Sequence, residues 1–403
     1  MKPRPHRASR LAPLALVAAL LLASCATGPG SGDEATASSD PAAQTQGSGK
    51  EDVPSALRLD IDDPSLPAPL VAPADLISGG PPPDGIPPVD RPVFAPAGTV
   101  DWLADDEPVV TLDLDGEHRA YPVQIMIWHE IVNDEVAGTP VSVTYCPLCN
   151  SALAFDRRLG DRLLTLGTSG MLYRSDLVMY DRQTESLWSQ LEGRAIAGHL
   201  TGEVLDRIPV QTVTWEQWRR AHPDGQVLTR DTGAERDYGR NPYIGYDQPD
   251  DDPSLFDGDP DPRLPPKERV LGLGDTDGDP TAVVLTTLAQ QRVIDLEVGG
   301  APVVVWAVGG LRSALDTSDI PSGRAVAASG AFDPRADGRQ LTFGAGGDDT
   351  FVDEETGSTW DLLGRAVDGP LAGAQLQAVG HVDTFWFAWG AFHPDTRVVG
   401  ASG

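Results

Sequence analysis

The chain repeats itself, and this restricts its fold more than any other feature. Asp115-Gly116, Ala120, Pro140-Val141, Val143 and Ser151-Ala152-Leu153 recur as Asp277-Gly278, Ala282, Pro302-Val303, Val305 and Ser313-Ala314-Leu315, every pair at one spacing. Farther on, Asp181, Thr184 and Trp188 recur as Asp353, Thr356 and Trp360. Gly193-Arg194-Ala195 recurs as Gly364-Arg365-Ala366, and Trp215, Trp218 and His222-Pro223-Asp224 as Trp386, Trp389 and His393-Pro394-Asp395. A nearly constant spacing with small gaps points to duplication, at ~140 residues per copy, an ordinary domain size. The expected organisation is a first repeat over 100–232, a connector over 233–267 and a second repeat over 268–403.

Each copy reads as strand-rich. Val109 to Leu114 and Arg119 to Val123 flank Asp115-Gly116, a hairpin signal. Ile131 to Val136 and Val141 to Tyr145 alternate around Gly138 as a second hairpin, and Ser151 to Arg157 alternates again. Pro122 to His129 fits one short helix with proline near its start. Thr214 and Gln217 have capping-box spacing, so Thr214 to Ala221 reads as a helix closed by Pro223. The expected class is α+β: two tandem pseudo-symmetric repeats packed together, strand-rich, with few short helices. The polar connector (YDQPDDDPSLFDGDPDPRLPP) reads as a long surface loop or strap.

Ahead of the repeats lies a basic head (Lys2, Arg4, Arg7, Arg10) and an apolar run, Leu11 to Ala23, too short to span a membrane comfortably. It ends in Leu22-Ala23-Ser24-Cys25, which resembles the bacterial lipobox. Residues 1–25 are therefore expected to be a lipoprotein signal peptide, with Cys25 lipidated. That predicts an extracytoplasmic protein, held to a bacterial cell membrane by its lipid anchor alone. Residues 26–99 are expected to be a disordered, proline-rich tether, its second part an extended spacer or wrapping arm. With 30 basic against 60 acidic residues the net charge is −30, which excludes nucleic acid as a partner.

Setting Cys25 aside, the only thiols are Cys146 and Cys149, in Thr144-Tyr145-Cys146-Pro147-Leu148-Cys149-Asn150. The duplication acts as a control on them. Residues that both copies share read first as fold residues, and His222 and His393 read as buried, hydrogen-bonded histidines. At the first spacing Cys146 faces Val308, Cys149 faces Leu311 and His129 faces Gln291, so the second copy folds without them.

Four readings fit the pair. A structural disulfide would close a loop worth only about 2 kcal/mol. A redox couple would use one thiolate to attack and the other to resolve. Cys146 is then the nucleophile, Cys149 the resolving thiol, and His129 the acid/base or thiolate-stabilising neighbour, with Arg157 and Arg158 as further cationic suppliers. Its partner would be an unknown redox protein or a small thiol. A soft-metal site would take copper, through Cys146, Cys149 and His129, with Met171 or Met179 in reserve. The fourth is a carbohydrate- or peptide-binding scaffold with incidental cysteines. The redox reading needs no cofactor. Tyr145, Tyr173, Arg174, Ser175, Asp176 and Asp181 are candidate pocket residues, because the second copy shortens the polar stretch that holds most of them. Residues after Cys149 read as strand, which argues against a thioredoxin fold. No phosphate loop, Gly-x-Ser-x-Gly or EF-hand pattern occurs.

Long segments carry a resemblance: WHEIVND (Trp128 to Asp134), TYCPLCNSALAFDR (Thr144 to Arg157), LYRSDLVMYDRQTESLWSQ (Leu172 to Gln190), LPPKERVLG (Leu264 to Gly272), DEETGSTWDLLG (Asp353 to Gly364) and HVDTFWFAWGAFHPDTRV (His381 to Val398). Over roughly residues 100 to 400 the chain resembles the bacterial family called domain of unknown function 3179. The family name implies no activity. Some members carry selenocysteine within the motif that matches Cys146 to Cys149, which implies redox chemistry for the pair. Asn150 stands where glycine often follows the second cysteine in that family.

Overall fold

Asp115 and Gly116 take φ of 48° and 85°, and Ala137 and Gly138 take 49° and 76°. Two successive left-handed residues twist a two-residue turn the way paired strands twist. Pro108–Leu114 and Glu117–Pro122 therefore close as one hairpin, and Ile131–Val136 and Thr139–Cys146 as the next. The computed structural model describes residues 54–274 and 278–401. The signal segment, Cys25 and the start of the tether lie outside the described residues, as does Asp277.

The fold is strand-rich, with many small sheets and four seven-residue α-helices among the described residues. One sheet runs Gln211–Thr214, Pro108–Leu114 and Glu117–Pro122 antiparallel, with Gln226–Leu228 added in parallel and Phe94–Pro96 at the edge. Another runs His381–Phe385, Arg269–Leu273 and Thr281–Val284 antiparallel, with Arg397–Val399 added in parallel. Helix α1 (Val123–His129) follows the hairpin of the first sheet. Helix α2 (Trp215–Ala221) opens on a capping box, in which Gln217 N–H donates to Thr214 Oγ1 and Gln217 Oε1 accepts from Thr214 N–H. Helix α3 (Leu285–Gln291) follows the second sheet's hairpin, and α4 (Trp386–Phe392) follows its edge strand.

Local geometry matches across the two parts of the chain. Asp181 accepts from the Thr184 amide, the Thr184 hydroxyl and Trp188 Nε1, and Asp353 does the same for Thr356 and Trp360. Asp181 is thus a turn residue, not a pocket residue. Asp181→Ala leaves these donors without their acceptor. It is expected to lower unfolding stability by about 2–3 kcal/mol at unchanged denaturant slope. A loss below about 1 kcal/mol in a urea titration would contradict this reading.

The two largest cores draw on both parts of the chain. One joins Cys146, Cys149 and Trp188 to Trp386, Phe387 and Trp389. The other joins Val109, Trp215 and Trp218 to Trp306, Phe332 and Trp360. The arginine contacts are reciprocal: Arg174 donates to the Ala391 carbonyl at the end of α4, and Arg365 to the Ala221 carbonyl at the end of α2. Residues 100–232 and 268–401 therefore interlock, although a smaller core around Leu271, Leu288 and Val305 belongs to the second part alone.

The expectation of a disordered tether up to residue 99 does not hold from residue 54 on. Leu76–Ser78 pairs with Leu166–Tyr173, and the Val89 N–H and C=O bond to Ile131 and Asn133. Ile61, Val71 and Val89 are buried. An edge position suits this segment, because proline's missing N–H is not needed there, and apolar burial repays its ordering. The connector carries no strand and lies over the thiol-bearing core, with Tyr243, Tyr246 and Phe256 packed against it.

Candidate functional site

Cys146 ends one strand and faces Ser151 at the start of the next, Ser151–Asp156. The loop between them, Pro147 to Asn150, closes at Asn150, whose φ is 54°. That position needs a left-handed residue, and asparagine is among the few side chains that accept it. Asn150 thus holds the turn, and its carboxamide oxygen accepts from the Tyr145 hydroxyl at 3.3 Å. From below, Gln190 Nε2 donates to Thr144 Oγ1, and its Oε1 accepts from Ser151 Oγ. From the far part of the chain, Phe385 N–H and Thr384 Oγ1 both donate to the Cys149 carbonyl, at 2.9 and 2.8 Å.

Both thiols are free and buried. They face the Ser175 carbonyl, at 3.6 Å from Cys149 Sγ and 4.0 Å from Cys146 Sγ. Ser175 shares a two-residue turn with Arg174, and their φ values are 67° and 53°. Glu130, which ends α1, has φ 58°. Asn150, Arg174, Ser175 and Glu130 all adopt a conformation that costs a non-glycine residue of order 1 kcal/mol or more. Such strain persists where surrounding structure enforces it, and it gathers at functional sites.

Asp176 supplies the charge. One carboxylate oxygen accepts from the Leu191 N–H at 2.9 Å, the other is buried, and the Cys149 thiol also interacts with the carboxyl. The ligand atoms of Cys146, Cys149 and Asp176 all lie within 4.8 Å of one another. Burial raises the Asp176 carboxyl to about 7, against the Leu191 N–H and the Cys149 thiol, which favour its ionised form. Burial, then the Asp176 charge, raises Glu130 to about 8. The Cys149 thiol is pushed well up by burial, by its bond to Cys146 and by neighbouring negative charge.

A family model described as "Protein of unknown function (DUF3179)" matches residues 83–396. The chain belongs to the DUF3179 family. No curated protein and no solved structure matches it.

The expected site residues of this DUF3179 chain divide in two. Tyr145, Ser175 and Asp176 come together around Cys146 and Cys149. His129 does not take part through its ring. Its Nδ1 lies 2.7 Å from the Pro87 carbonyl oxygen and its Nε2 2.6 Å from the Tyr238 hydroxyl, and burial lowers its pKa. Its neighbour Glu130 is the titrating group that couples to the cluster. Arg157 is spent on the Val141, Leu164 and Asp134 carbonyls, and Arg158 on Asp156 at the surface. Neither cation serves the thiols. Tyr173 stacks edge-on against Phe392, with the Arg174 guanidinium over both rings. Those two anchor α4 and leave Ser175 to face the sulfurs. The residue that sequence reasoning passed over is Glu130. Its only sequence signal was its place inside WHEIVND, beside the histidine that drew attention.

Proposed function

We propose that this protein exchanges disulfides through Cys146 and Cys149, outside the cytoplasm, with a lipid on Cys25 as its tether. The observation that carries this reading is the Asp176 carboxyl, buried within reach of both thiols and poised near neutrality. A buried thiol such as Cys149 cannot ionise unaided. A carboxylate beside it can take its proton when the resolving step needs a thiolate.

The reaction balances as follows. The Cys146 thiolate attacks one sulfur of a substrate disulfide, and the displaced substrate sulfur leaves as a thiolate and takes up a proton. Cys149 then passes its proton to Asp176 and attacks the Cys146 sulfur. The intramolecular disulfide forms, and the second substrate sulfur departs as a thiolate that takes the proton held on Asp176. Two electrons move from the protein dithiol to the substrate, which ends as two thiols. A reducing redox partner reverses these steps on the protein. Cys146 is the attacking thiol because it is the less enclosed of the two. The connector covers this side of the cluster, where Ser175 Oγ donates to the Ser254 carbonyl at 2.7 Å.

A second reading rests on the same cluster. Two thiolates and a carboxylate also suit a soft ion such as Cu(I), with Asp176 where His129 was expected. One experiment separates them: redox titration of the full chain in dithiol buffers, following free thiols and copper together. A reversible two-electron transition above about −300 mV supports exchange. A pair that resists reduction at that poise is a staple, and thiols that stay reduced while holding stoichiometric copper mark a metal site. The matched hydrogen bonds of Asp181 and Asp353 support duplication as the origin of both parts.

A further inference from the structure

A second cluster of chemistry-bearing side chains lies apart from the thiols. Asp113 and His118 face each other across the first hairpin, so both side chains leave the same face of the sheet. His118 Nδ1 lies 2.7 Å from one Asp113 oxygen. His222, the residue that ends α2, brings Nε2 to 3.5 Å from the other. The two imidazoles stack with centroids 4.0 Å apart. His222 is only 5% exposed, and its Nε2 is buried without a hydrogen-bond partner. A buried imidazole nitrogen held only at ion-pair distance from a carboxylate differs from the satisfied core histidine expected at this position.

We propose that Asp113, His118 and His222 bind a divalent transition-metal ion of the zinc class. Their ligand atoms all lie within 4.8 Å of one another. Two imidazoles and one carboxylate form a borderline-soft donor set, preferred by Zn²⁺ and its neighbours over Ca²⁺ or Mg²⁺. Bonds of about 2.0–2.2 Å need the donors to draw in slightly. Asp113 and His118 can move, because their side chains are 41% and 38% exposed, while packing on Trp218 holds His222. Clefts of ≈ 400 and ≈ 530 Å³ open beside the cluster, so the ion would keep solvent positions free for exchange or for a ligand. The second part of the chain retains His393 opposite His222 but has Pro280 opposite His118. The corresponding fold position therefore does not require a histidine at 118.

The test is calorimetric titration with Zn²⁺, and metal analysis, on the full chain carrying Cys146→Ser and Cys149→Ser. Removing the thiols keeps the two clusters distinguishable. One equivalent of bound zinc is expected, with affinity falling about 10²-fold or more in His118→Gln and in Asp113→Asn. Both positions lie at the surface, so these variants keep the fold. Co²⁺ absorption spectra should change in both. Absence of zinc binding by the thiol-free parent overturns the proposal, as does binding unchanged in both variants.

Discussion

Replacing Cys146 by serine is expected to lower the proposed disulfide exchange by about 10³-fold or more, whereas Cys149→Ser is expected to attack once and stall. A serine hydroxyl is not ionised near neutral pH, so the first variant has no nucleophile. The second keeps Cys146 but cannot resolve the mixed disulfide, which accumulates. Mass spectrometry after incubation with a small aromatic disulfide reads both results. Equal turnover by wild type and Cys146→Ser would sink the redox assignment. A Cys149→Ser protein that holds no covalent adduct would sink the division of labour between the thiols. Neither substitution should unfold the chain. The loop that carries them is held through backbone groups, with the Cys149 carbonyl accepting from Phe385 and Thr384, and through Gln190 beneath the hairpin. Serine is close to cysteine in size, and the second part of the chain folds with Val308 and Leu311 opposite these positions.

Local structure was legible wherever a turn or cap is written in consecutive residues. Asp115-Gly116 marked a hairpin because only a few residue types accept paired left-handed φ values, and Thr214 with Gln217 marked a helix start because their hydrogen bonds are local. The thiol pair was legible for a different reason, its presence in one copy alone. The groups that complete the site were not. Asp176 reaches the sulfurs only because a left-handed turn at Arg174-Ser175 brings a neighbouring hairpin over them. Glu130 feels the Asp176 charge, and α1 ends on it in another left-handed residue. His129 looked the better acid/base in sequence, since an imidazole ordinarily titrates near neutrality. Burial reversed that ranking, lowering the histidine and raising two carboxyls into the range it vacated. The proline-rich segment misled for a similar reason. Its composition resembles a linker, and the three buried aliphatics that fix it, Ile61, Val71 and Val89, are spread too widely to show a period.

The raised carboxyls make folding stability depend on pH in a direction opposite to the usual one. Asp176 moves from 3.8 to about 7 on folding, and Glu130 from 4.5 to about 8. Between those limits the folded state holds protons that the unfolded chain has released. The stability these two carboxyls contribute is therefore full below about pH 4 and falls as pH rises toward 8. Displacements of this size correspond to roughly 4 kcal/mol per group, and mutual repulsion makes the two contributions non-additive. Asp176→Asn with Glu130→Gln removes both ionisations with little change of shape. The double variant should match wild type within about 1 kcal/mol at pH 4 and exceed it by several kcal/mol at pH 8.5 in urea unfolding. Parallel stability curves for the two proteins would show that neither carboxyl is perturbed, and the proton acceptor proposed for Cys149 would go with it. The gain in stability should come with a loss of function. Resolution of the mixed disulfide by wild type should quicken as pH rises through about 7, where Asp176 becomes a carboxylate able to take the Cys149 proton. Asp176→Asn should lose that rise and resolve about 10²-fold more slowly. A buried carboxyl that weakens the fold at neutral pH is accounted for if its proton is used.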